Sequence, residues 1–131
     1  MNEINKPSFA PQLYIQSGVK NIEFYTKAFE AIELRRWTND DGSIHVAELS
    51  INGAMFHLHE ESLKSGRFSP ERYNGTTTII GLFVPDVDAV MNRAVAAGAV
   101  ITSPVESYEY GYRQGQIKDP FGHHWMIEMK I

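Results

Sequence analysis

Apolar and polar positions alternate over several short stretches of this chain, and a helical spacing interrupts the alternation twice. Leu13 and Ile15 alternate with Gln12, Tyr14 and Gln16, so Gln12 to Gln16 reads as a first strand. From Val19 to Ala31, Ile22, Tyr25, Ala28 and Phe29 form one helical stripe, with Ser17 a suitable N-cap. Ile32 to Thr38 resumes an extended pattern, and Asn39-Asp40-Asp41-Gly42 supplies a hairpin turn. Ser43 to Ile51 and Ala54 to Glu60 are two more strands, joined by the tight turn Asn52-Gly53. The first half is therefore βαβββ.

Residues 61–75 have no period; they read as a linker that can lie over a cavity mouth. The order then restarts. Thr76 to Val84 is β-rich, and Asp86 caps a helix that runs to Ala97 and closes at Gly98. Val100 to Ser103 is a strand ending before Pro104, and Tyr112 to Lys118 is the next. Asp119-Pro120-Phe121-Gly122 fits a type I turn, leading into a last strand. There Trp125, Ile127 and Met129 point one way, and His124, Met126 and Glu128 the other. The second βαβββ follows the first by about 69 residues, as from Gly53 to Gly122. The expected architecture is α+β: one domain over 1–131, with repeats at 9–60 and 76–130 and a linker at 61–75.

Composition narrows the function classes. The chain has 131 residues, 43% hydrophobic and 21% charged, with net charge -4 and no cysteine. That length suits one domain with a real core. Scattered Lys and Arg argue against a nucleic-acid footprint. No apolar run approaches the ~20 residues of a membrane span, and Met1 to Lys6 lacks a signal peptide's apolar core. The absence of cysteine excludes disulfides, thiolate metal sites and a cysteine nucleophile. A cytoplasmic protein acting on a small organic molecule is the expectation, with neither nucleic acid nor membrane as a partner.

Strand parity locates the candidate chemistry. If Leu13, Ile15, Phe56, Leu58, Ile80, Leu82, Trp125 and Ile127 pack under the helices, the opposite face carries Gln12, Tyr14, Met55, His57, His59 and Ile79. Gly81, Phe83, His124, Met126 and Glu128 share it. Apolar walls with a few polar groups suit a small-molecule pocket; the same residues also suit simple filling between two sheets. Glu128, at an internal position, needs a partner, a ligand or water, and near His57 or His59 it can serve as a general base. Catalytic candidates are therefore Glu128 and His57. Tyr108-Glu109-Tyr110-Gly111-Tyr112-Arg113 is an aromatic-rich stretch before the seventh strand whose tyrosines can cover a sheet edge or a dimer contact, and Arg113 can meet an anionic ligand or pair with an acid. His57, His59 and Glu128 also make a donor set of the open, catalytic zinc type. His123, just after the turn, is expected in solvent, and Arg35 and Arg36 on a solvated strand face.

The tandem βαβββ resembles the vicinal oxygen chelate superfamily: glyoxalase I, bleomycin-resistance proteins, fosfomycin-resistance enzymes and extradiol dioxygenases. Ile22-Glu23-Phe24-Tyr25-Thr26-Lys27-Ala28-Phe29, Asp86-Val87-Asp88-Ala89-Val90 with Ala96-Ala97-Gly98-Ala99, and Lys118-Asp119-Pro120-Phe121-Gly122-His123-His124-Trp125 look like its PhnB-like glyoxalase subgroup. The resemblance implies curved mixed sheets around a central cavity (the glyoxalase/bleomycin-resistance fold), a homodimer, and a loop carrying Tyr110, Tyr112 and Arg113 that rims the cavity and can stack on a flat ligand. It also implies four metal-ligand places, which fall here on Ala10, His57, Ile79 and Met126. Only His57 is a usual ligand for a divalent ion. The expectation is a small-molecule binder without the family's metal and with no cofactor. The alternative is a lyase, isomerase or transferase using Zn, Ni, Mn or Fe on His57, His59 and Glu128.

Overall fold

The computed structural model describes residues 6–131. It contains β1 (Gln12–Ile15), α1 (Glu23–Phe29), β2 (Ile32–Thr38), β3 (Ile44–Ile51) and β4 (Ala54–Glu60), then a short helix α2 (Pro70–Tyr73). The second half holds β5 (Ile79–Phe83), α3 (Val87–Ala96), β6 (Val100–Tyr108), β7 (Tyr112–Lys118) and β8 (His124–Lys130). Two mixed four-stranded sheets result, ordered β1-β4-β3-β2 and β5-β8-β7-β6. The fold is α+β, as the sequence pattern predicts.

In each sheet the first strand runs parallel to the last and the rest is antiparallel. Gln12 lies opposite His57, and Gly81 opposite Met126, so the two halves share one register. Leu13, Ile15, Phe56 and Leu58 are buried with Trp125 and Ile127 under α1 and α3. Trp125 packs on Phe29 at 4.8 Å between ring centroids and on Phe56 at 5.6 Å, so the two halves share a single core. Burying Trp125 removes ~200 Å² of mostly apolar surface from water, worth several kcal/mol.

One polar knot crosses that core. The buried Asp119 carboxylate accepts from the Tyr25 hydroxyl at 2.6 Å and from Trp125 Nε1 at 2.9 Å. Its other oxygen accepts from the backbone N–H of Phe121 at 2.8 Å and of His123 at 3.0 Å. The turn-forming aspartate of the second half thus holds the helix of the first. Burial first, and the neighbouring Asp119 carboxylate second, push the Tyr25 phenol well above its ordinary value.

Several boundaries differ from the sequence expectation. α1 begins at Glu23 rather than Val19, because Val19 O accepts from Ile44 N and Asn21 Oδ1 accepts from Glu23 N. Ser17 is not its cap. The helix ends at Glu30, whose left-handed φ of 56° does what Gly98 does in the other half. β5 starts at Ile79, three residues late, after a Thr76 side-chain bond to the Thr78 N–H. β6 continues through Pro104 to Tyr108; it is a sheet edge, where a residue without an N–H costs no ladder bond. The linker is not featureless: Leu63–Ser65 is a 3-10 turn, and Pro70 opens α2 from its first position.

Candidate ligand-binding site

On the sheet faces turned away from the core, large apolar side chains stand in the open. Ile79 is 51% exposed, Phe83 55% and Met55 41%. Large apolar side chains left open on a sheet face mark a surface that something else covers.

The first sheet presents Tyr14, His57 and His59 on this face. The Tyr14 and His59 rings lie 5.5 Å apart, and His57 and His59 5.8 Å apart. His57 Nε2 meets Met55 Sδ at 3.4 Å and stands 3.7 Å from Glu48. His59 Nε2 is buried without a hydrogen-bond partner among the described residues. Burial, then the charges of His57, Arg67 and His45, hold His59 below its ordinary value.

The second sheet is more aromatic. Tyr108 stacks on Tyr110 at 5.1 Å, Tyr110 lies 5.9 Å from Tyr112, and Tyr112 lies 6.1 Å from Phe83. Tyr110 Oη donates to Gln114 Oε1 at 2.5 Å, and Gln114 Nε2 donates to Glu128 Oε1 at 2.8 Å. Glu128 is buried, and this chain supplies the partner that its position demanded. Gly81 makes room for it, because a Cβ there would sit 2.7 Å from Glu128 Oε2.

Glu128 and the two histidines belong to different sheets, and their hydrogen bonds do not join them. Among the described residues, no three His, Asp or Glu side chains stand together as a metal-holding group. Arg113 is occupied: its guanidinium grips Asp88 at 2.8 and 2.9 Å and reaches Ser107 at 3.0 Å. His123, expected in solvent, is buried, with Nε2 2.8 Å from Tyr14 O; the Asp119 turn draws its backbone inward. His124 opens on a smaller cleft beside Asn74, Thr102 and Lys118. Met126 is half-buried opposite Gly81.

A cavity of about 1060 Å³ opens between β1, β5 and the linker. Gln12 and Tyr14 of the sequence candidates line it; Phe9, Phe68, Tyr73 and Ile79 give it apolar walls. Residues 66–73 were not among the sequence candidates, since a stretch without period shows neither face nor direction. Local hydrogen bonds pin them. Ser62 and Arg67 exchange backbone hydrogen bonds of 2.8 and 2.9 Å around Gly66. The Glu61 carboxylate accepts from Ser69 N at 2.9 Å and from Arg72 Nη2 at 2.6 Å. These bonds, Arg72 first, hold Glu61 at about 2.

Comparison with known proteins assigns the family. The glyoxalase/bleomycin resistance protein/dioxygenase superfamily matches residues 11–127. The chain belongs to that superfamily. An uncharacterized protein of Mycobacterium bovis is 38% identical over 129 residues, spanning 96% of this chain and 85% of the relative. The solved structure of an Arabidopsis thaliana gene product has a TM-score of 0.72 at 28% identity, covering 93% of this chain and 98% of that one. TioX from Micromonospora sp. ML1 has a TM-score of 0.71 at 22% identity, covering 95% and 97%. The last likeness concerns the fold alone. For a vicinal oxygen chelate fold, the shared register makes Ala10 and Met55 the counterparts of Ile79 and His124, and His57 the counterpart of Met126. No helix among the described residues is long and apolar enough to cross a membrane.

Proposed function

We propose that this chain is a small-molecule-binding protein of the glyoxalase/bleomycin-resistance type, nearest the PhnB-like subgroup, which works in the cytoplasm as a homodimer without the superfamily's metal. The observation that carries the reading is the exposure of Met55 on one sheet and of Ile79 and Phe83 on the other, with Ile79 lining an aromatic-walled cavity large enough for a drug-sized ligand. The donor chemistry agrees. Of the four places where a metal-using relative keeps its ligands, Ala10 and Ile79 offer no donor and Met126 only a soft thioether. The residues present do not fit the metal, and no step is routed through one. Glu128, held by Gln114 at the end of the tyrosine ladder, serves as a fixed hydrogen-bond acceptor for a ligand.

Thermal shift against a panel of flat aromatic compounds tests the reading, alongside metal analysis of protein loaded with Zn²⁺, Ni²⁺ or Mn²⁺ and then dialysed. Binding raises the melting temperature, by mass action on the folded state, for at least one compound class and less so in Phe83→Ala. Near-stoichiometric retained metal that disappears in His57→Ala would overturn the metal-free reading.

A further inference from the structure

Within that binding reading, we infer that the cavity between β1 and β5 selects anionic ligands, an aromatic body carrying a carboxylate or similar acid, and that the Arg67 guanidinium with the Tyr14 hydroxyl forms the acid-binding end.

The argument starts from charge. The chain carries net charge -4, so its surface as a whole disfavours anions. The cavity is the local exception. Among the described residues, no Asp or Glu lines it, and Arg67 is the one Lys or Arg that does. Elsewhere the arginines of this protein are mostly claimed: Arg36 by Glu33, Arg72 by Glu61, Arg93 by Glu30 and Arg113 by Asp88. Among the described residues, Arg67 meets no carboxylate. Its hydrogen bond runs from Nη1 to Tyr14 Oη at 3.2 Å. Because the tyrosine oxygen accepts there, its own O–H is left to donate. Guanidinium and phenol together present several donors and no competing acid, which is the arrangement that recognises a carboxylate or a phosphoryl group.

The pair is also positioned in advance. Arg67 sits on the Ser62–Arg67 backbone bridge, and the Glu61 bonds to Ser69 N and Arg72 fix the next turn. A side chain projected from a pinned loop loses less freedom on binding than one from a slack segment. Next to Tyr14, His59 Nε2 is buried and has no hydrogen-bond partner among the described residues. Around this end, Phe9, Phe68 and Tyr73 supply the flat, apolar contact for the rest of the ligand.

Isothermal titration of the full chain at low salt with benzoate, naphthoate and quinaldate, each paired with its neutral amide, tests the inference. At least one acid binds about tenfold or more tightly than its amide, and added salt narrows the gap. In Arg67→Met the gap falls below about threefold while the amide binds as before, and an unchanged melting temperature shows the fold intact. Equal affinity of every acid and its amide overturns the inference and leaves the binding reading standing. So does a preference that survives in Arg67→Met. If no acid and no amide binds, both readings fall together.

Discussion

Asp119→Asn is the sharpest single-atom test of how the two halves are joined. In the native protein one carboxylate oxygen serves the Tyr25 hydroxyl and Trp125 Nε1, and the other serves two backbone N–H groups. Asparagine keeps one oxygen. Placed toward Phe121 and His123, it leaves its NH₂ facing the other pair. The Tyr25 hydroxyl can rotate to accept, but the Trp125 N–H cannot. One buried donor is then orphaned, at about 1–3 kcal/mol, and three charge-assisted bonds become neutral or vanish, at about 1 kcal/mol each. Relief of the buried charge returns part of this, so the net loss is about 3 kcal/mol. Tyr25→Phe removes one charge-assisted bond and orphans nothing, for about 1–2 kcal/mol. Urea unfolding of both variants and the double variant measures these values. The double variant costs at least about 1 kcal/mol less than the sum of the singles, since both act on one bond. A loss below about 1 kcal/mol in Asp119→Asn, or strict additivity, refutes the idea that the carboxylate clasps the halves together.

Three further outcomes are expected. Gly115→Ala brings a Cβ to 2.8 Å from Met91 Cε and 2.9 Å from Val105 Cγ2, so thermal denaturation should show a loss of about 1–3 kcal/mol; an unchanged melting temperature contradicts this packing. Glu61 is held at about 2, so the stability it gives is complete above its unfolded value near 4.5 and disappears as pH falls from there toward 2. Its side chain is 3% exposed but Arg72's is 40%, so the gap between wild type and Glu61→Gln is about 1–2 kcal/mol at neutral pH, and a gap constant down to pH 2 denies the linkage. His59 has a lowered folded value, so folding opposes its protonation: the penalty is nil above about 6.5 and grows as pH falls below that. An NMR titration places its midpoint below the ordinary imidazole value, and a midpoint above it would contradict the burial and nearby positive charges that set the direction.

How much of this was legible depended on whether a residue's role was local. Strand parity placed Trp125 and Ile127 inside and left Met126 facing out because a pleated backbone leaves no other choice. The same parity could say that Glu128 needed a partner, but not that Gln114, on the neighbouring strand, would be that partner and Tyr110 the next link. Asp119 shows the limit most clearly. Its turn-forming role follows from four adjacent residues, while its bond to Tyr25 spans 94 positions and depends on how the halves pack. His123 was misplaced for the same reason, since proximity to a turn says nothing about which way the backbone is drawn.

The linker carried the least signal and contributes most to the cavity. Its order comes from Glu61, a residue read only as the start of an aperiodic stretch, whose carboxylate binds a backbone N–H eight residues on and a guanidinium eleven residues on. The two halves share what the fold requires: the register of Gln12 with His57 and of Gly81 with Met126. What differs between the halves is then free to carry function. The first face has acquired imidazoles and borrows Arg67 from the linker, while the second has acquired a tyrosine ladder and a buried carboxylate. A symmetric metal site needs matching donors on both faces. In the proposed binding role, the unlike charges of the two faces suit an asymmetric organic ligand with an acidic end better than an ion held equally by both.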